Sequence, residues 1–123
     1  MSKSKVILPI LSCLLLLQAC KKGNSPSSEM QTITATVKSG QTYKSDLGNY
    51  GDEEGVTITR QAAHFQVSSI DRDLSSGKIS LKYAPAPNYT GTDEVVVQSS
   101  KGSDGASPNN KVISITFKFT ITP

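Results

Sequence analysis

The chain has 123 residues, with 13 Lys and Arg against 10 Asp and Glu, one His, two Cys and no Trp. That length suits one domain, and a formal charge of +3 with no clustered basic face argues against a nucleic-acid partner. There is no Gly-x-Ser-x-Gly elbow and no phosphate loop, and the lone histidine, His64, falls at a short link between strands; the composition points away from an enzyme.

In chain order, Lys3 and Lys5 precede the apolar run Val6–Leu17, and small residues lead into Cys20. A basic start, a short apolar core and a small-residue cut site make an export signal over residues 1–19. The run is too short for a membrane span, which needs about 20 apolar residues. Cys13 lies inside the apolar core and leaves with the signal, as do Lys3 and Lys5, which lowers the formal charge to +1.

Leu17-Gln18-Ala19-Cys20 at the cut resembles the lipobox of bacterial lipoproteins. The resemblance implies that the Cys20 thiol is diacylated, carries palmitate-like chains and becomes the first residue of the mature protein. Each buried CH₂ contributes about 0.8 kcal/mol, so two or three chains hold where one would not. Lys21 rather than Asp follows the cysteine, which resembles lipoproteins released to the outer membrane; the implied address is the bacterial cell envelope, periplasmic or surface-exposed. No cysteine remains for a disulfide, so the fold must stand on its core.

Residues 20–30 read as the lipidated Cys20 and a flexible, Ser-rich tether with Gly and Pro, reaching roughly 18 Å. After Met30 the pattern has period two. It is cleanest where Ile113, Ile115, Phe117, Phe119 and Ile121 alternate with Ser114, Thr116, Lys118, Thr120 and Thr122, which puts one face in a core and the other in water. The alternation predicts strands over 31–38, 41–47, 55–62, 65–70, 77–83, 93–99 and 111–122, with no helical stripe. Ser39-Gly40 marks a tight turn, Ser75-Ser76-Gly77 ends a loop, and Pro85 and Pro87 exclude a central strand across the link after the fifth strand. Seven short strands separated by turn signals describe an all-β sandwich over residues 31–123.

The stretch Tyr83-Ala84-Pro85-Ala86-Pro87-Asn88-Tyr89-Thr90-Gly91-Thr92-Asp93 resembles the bacterial Ig-like, cadherin-like repeats of large cell-surface proteins. The resemblance implies a seven-stranded Ig-like Greek-key β-sandwich, in which Gly91 permits a turn, Asp93 bonds turn amides and Tyr89 covers the end of the core. Tyr89 is also a candidate partner contact. The chain departs from the family in strand six, where Val95 and Val97 replace aromatics, and in carrying one repeat rather than an array.

With that strand order, the links after the second, fourth and sixth strands share one end and carry Asp52, Glu53, Glu54, Asp71, Asp73 and Asp104. Such a rim can supply oxygen ligands to Ca²⁺, with Asp52, Glu54, Asp71, Asp73 and Asp104 as the metal candidates. Against that, strand-connecting loops are commonly acidic, Arg72, Lys78 and Lys101 lie alongside, and no twelve-residue calcium loop is present; no cofactor is otherwise expected. The first strand begins at this rim, which turns the opposite end, with Tyr83 and Tyr89, away from the membrane. Two readings follow: a lipid-anchored, non-catalytic binding or adhesion module that meets an envelope protein or a glycan, and a structural or accessory lipoprotein packed against an outer-membrane protein. An inhibitor working through the 100–110 loop has no further feature behind it.

Overall fold

A computed structural model describes residues 25–123; the export signal, Cys20 and the first part of the tether lie outside the described residues. The chain is all-β. Its strands are β1 (Ser27–Lys38), β2 (Tyr43–Asn49), β3 (Gly55–Arg60), β4 (Phe65–Arg72), β5 (Lys78–Pro85), β6 (Gly91–Lys101) and β7 (Lys111–Thr122). They form a four-stranded sheet in the order β1-β7-β6-β3 and a three-stranded sheet in the order β2-β5-β4.

The alternating segment is the spine of the larger sheet. β7 pairs antiparallel with β6, placing Phe117 opposite Val95 and Ile115 opposite Val97, and pairs parallel with β1, placing Phe119 beside Ala35 and Ile121 beside Val37. The inward row from this sheet meets Ile79, Leu81 and Tyr83 of β5 in one core, where Tyr83, Phe117, Leu81, Val95 and Val97 are fully buried. Tyr83 stacks on Phe119 with ring centroids 4.0 Å apart, and Tyr43 meets Phe119 edge-on at 5.2 Å. These contacts join the sheets through aromatic faces and edges, geometries that add to the gain from burial.

Six of the seven strands differ in their bounds from the sequence reading, β7 alone keeping its range. β1 begins at Ser27, not at residue 31, so Ser27–Met30 belong to the sheet and not to the tether. Those residues are exposed and carry no alternation; they are held by backbone pairing with β7, with Ser27 N–H donating to the Asn110 carbonyl at 3.0 Å. β6 extends at both ends, from Gly91 to Lys101. β5, the middle strand of its sheet, runs on to Pro85, which the prolines were expected to prevent. Proline is tolerated there because β2 stops pairing at Tyr43–Tyr83, two residues earlier, so the missing N–H costs no ladder bond on that side.

Candidate functional site

The registers fix the two ends of the molecule. Ser27 lies beside Lys111, Asn49 opposite Lys78, and Gly55 opposite Ser100. The start of β1 and the β2–β3, β4–β5 and β6–β7 links therefore share one end, as the strand order implied.

This rim is a set of loops tied to one another. The guanidinium of Arg72, at the end of β4, donates to the carbonyls of Glu54 (3.0 Å), Tyr50 (3.1 Å) and Gly51 (2.7 Å). Lys101 donates to the Asn49 carbonyl at 3.0 Å and lies 4.0 Å from the centroid of the Tyr50 ring. The Glu54 carboxylate accepts the N–H of Gly51 at 2.9 Å and that of Gly102 at 2.7 Å, joining the β2–β3 and β6–β7 loops; these two bonds hold its carboxyl below the usual range.

The other candidate ligands are occupied separately. Asp73 accepts from the Ser75 N–H and from the hydroxyls of Ser75 and Ser76, and those bonds bring its carboxyl down to about 2. Asp104 is likewise held low by the N–H groups of Ala106 and Ser107. Asp71 forms an ion pair with Lys82 in the ladder of the smaller sheet, and Asp52 is exposed beside Arg72 and Leu74. Among the described residues no group of three or more His, Cys, Asp or Glu side chains could hold a metal ion. The five metal candidates share a rim in sequence terms, but their carboxylates do not converge: Asp73 and Asp104 turn to their own loops' donors, Glu54 bridges to Gly102, Asp71 pairs with Lys82 and Asp52 is exposed.

The opposite end is organised around Asp93, which is 8% exposed. One carboxylate oxygen accepts the N–H of Ala63 (2.8 Å) and of Glu94 (2.9 Å); the other accepts the N–H of His64 (2.9 Å) and the phenol of Tyr83 (2.8 Å). Burial, reinforced by the Asp93 carboxylate, pushes the Tyr83 phenol well above its ordinary value. Asp93 does bond turn amides, but two of them belong to the β3–β4 link and none to the turn before β6. Nothing local in the sequence marks Ala63 and His64 as its partners.

Tyr89 covers the core's edge from the β5–β6 link. Its hydroxyl donates to the Thr92 carbonyl at 2.6 Å across the turn that Gly91 makes at φ 132°, a conformation open to glycine. The imidazole of His64 lies nearly parallel on the Tyr89 ring at 4.2 Å. Tyr83, placed at this end by the sequence, is fully buried and presents nothing to a partner. Glu94, the neighbour of Asp93, faces the other way and forms ion pairs with Arg60 and, at 3.9 Å, with Lys118.

No protein-family model matches the chain, and no curated protein matches it in sequence. Among solved structures it is similar to a cysteine protease inhibitor from Entamoeba histolytica, at 14% identity and a TM-score of 0.44, over 80% of this chain and 100% of that one. A likeness so remote carries nothing about what this chain binds.

Proposed function

We propose that this chain is a lipid-anchored, non-catalytic binding module of the bacterial cell envelope, built on an Ig-like sandwich and held in the outer membrane through Cys20. The observation that supports it best is the start of β1 at Ser27, on the rim end. Only residues 21–26 then separate Cys20 from the first strand pair. Six residues span at most about 20 Å when extended and roughly 12–15 Å on average. The rim is thus kept near the lipid, while the far end, with Tyr89, His64 and the C-terminus, stands off by the length of a twelve-residue strand, about 40 Å. A short leash and a stiff sandwich suit a protein that presents one end to a partner.

The test is acylation and fractionation of the full chain beside Cys20→Ser. Labelled palmitate in the membrane-bound protein, lost together with membrane retention in the variant, is the expected result. A variant processed and anchored as before overturns the reading. Protease shaving of intact cells then separates surface display from a periplasmic orientation.

A further inference from the structure

The sheets end in four edge strands, β1 and β3 in the larger and β2 and β4 in the smaller. Three of these edges are interrupted. β2 carries Leu47 as an extra residue between Asp46 and Gly48, β3 carries Thr59 between Ile58 and Arg60, and β4 carries Gln66 between Phe65 and Val67. A bulge bends and twists its strand, so the edge no longer offers a straight row of N–H and C=O groups to another chain. On β4 the Ser68 carbonyl is also taken, by the Gln61 side chain at 3.2 Å. β1 has none of these devices. Its twelve residues pair with β7 in unbroken register, and among the described residues no strand lies on its other side. Residues 30–37 contain no charge, no proline and no glycine, and they are rich in the β-branched types that favour strands.

The bare segment also matches itself. Thr32-Ile33-Thr34-Ala35-Thr36 reads nearly alike in both directions about Thr34. Antiparallel pairing of two copies about a two-fold axis at Thr34 sets Thr34 against Thr34 and Thr32 against Thr36 on the outer face, and Ile33 against Ala35 on the core side. Met30, 84% exposed, then meets Lys38, whose apolar stem can cover it. No like charges are opposed. Lys118, which stands beside Thr34, stays three strand spacings from its counterpart, about 14 Å and beyond the screening length of about 10 Å. From the unprotected edge and its self-matching sequence we infer that two copies of this chain join antiparallel through β1, so that two four-stranded sheets become one of eight strands. The pairing stands on β1 alone, while its setting rests on the lipid-anchored reading above. Residue 27 of one copy lies level with residue 41 of the other, so the two tethers leave from ends about 45–50 Å apart. Copies held upright by short tethers then join two facing membranes.

The experiment uses the lipidated mature chain in phosphatidylcholine vesicles. Acylation consumes the Cys20 thiol and Cys13 leaves with the signal, so an introduced cysteine is the only thiol. Under mild oxidation Thr34→Cys should form a disulfide-linked dimer about tenfold faster than Thr57→Cys, exposed on β3 of the same sheet, because directly opposed Cβ atoms lie about 5 Å apart, near disulfide reach. Thr32→Cys alone should stay slow, since its counterpart lies four residues along, whereas Thr32→Cys combined with Thr36→Cys should cross-link. Light scattering reads the membranes. Wild-type vesicles should cluster, vesicles of Thr34→Lys or Thr34→Glu alone should not, and a mixture of those two should cluster again. These are exposed positions, and a thermal melt confirms that the variants fold. Thr34→Cys no faster than Thr57→Cys, or Thr34→Lys vesicles that cluster like wild type, overturns the inference. Cross-linking without clustering keeps the β1 pair and overturns its place between membranes. Failure of the cross-link with palmitate labelling and membrane retention intact removes the pairing alone. Failure of the Cys20 test removes the anchored-module reading, and the Thr34→Cys comparison made with Cys20→Ser then decides the pairing.

Discussion

Asp93 and His64 lie 29 positions apart, yet the carboxylate of Asp93 accepts the backbone N–H of His64 at 2.9 Å. The same carboxylate takes the phenol of Tyr83 and two further amides, so one side chain ties the β3–β4 link, β5 and the start of β6 together. Asp93→Ala is expected to cost about 3–5 kcal/mol, because several partly or wholly buried donors lose their acceptor at about 1–3 kcal/mol each and water relieves only some. Tyr83→Phe, which removes one bond and keeps the ring on Phe119, should cost about 1–2 kcal/mol. Equal losses for the two variants in urea titrations would show that the carboxylate is not the hub.

Register is tested at Phe117 and Lys118. Phe117 is fully buried between the sheets, and truncation to Ala should cost about 3–5 kcal/mol through lost transfer energy and the cavity left behind. Lys118→Ala, one residue on and facing water, should stay within about 0.5 kcal/mol of wild type. Similar midpoints for both variants would contradict the inward and outward assignment of β7.

At the rim, Arg72 ties the β2–β3 loop to the end of β4. Its guanidinium bonds three carbonyls of the β2–β3 loop at once, which an ammonium on a flexible stem cannot reproduce. Both Arg72→Lys and Arg72→Ala should therefore lose about 1–3 kcal/mol, with faster amide exchange concentrated in residues 50–55. A lysine variant with wild-type exchange there would remove Arg72 from this role.

Acid should unfold the protein partly through its turn carboxylates. Asp73 is lowered from 3.8 to about 2 by the Ser75 and Ser76 donors, and Asp46, Glu54 and Asp104 are lowered as well. Above about pH 5 Asp73 is ionised whether the chain is folded or not. Between pH 3.8 and 2 the unfolded chain takes up a proton that the folded one does not, so its share of stability is present above this window and lost through it. Asp73→Asn should flatten the fall of melting temperature over that interval; an unchanged slope would show that these bonds do not persist in solution.

Calcium at millimolar concentration should leave the melting temperature where it is, since the rim carboxylates do not converge. A bound ion would raise stability by about 2.7 kcal/mol at a hundredfold excess over Kd. A saturable rise abolished by Asp71→Asn with Asp73→Asn would make the rim a cation site.

Period-two alternation is a property of neighbouring residues, so the sequence alone determines that Ile113–Ile121 is a half-buried strand and that the fold is all-β with seven strands; that three acidic links gather at one end depends on the strand order, which the family resemblance implied and the registers carry. It also determines the position of Cys20. Ser27–Met30 escaped that reading because backbone pairing with β7 leaves no mark in side-chain polarity. Whether gathered carboxylates converge or disperse depends on which donors each loop presents, and only the folded loops settle that Glu54 bridges to Gly102 while Asp73 and Asp104 cap their own turns. The meeting of Asp93 with Ala63 and His64 is likewise decided by how the β3–β4 link closes over the core, and that of Glu94 with Arg60 and Lys118 by the register of β6 with β3 and β7. Those contacts join residues far apart in the chain, and a local pattern holds no record of what the packing brings together.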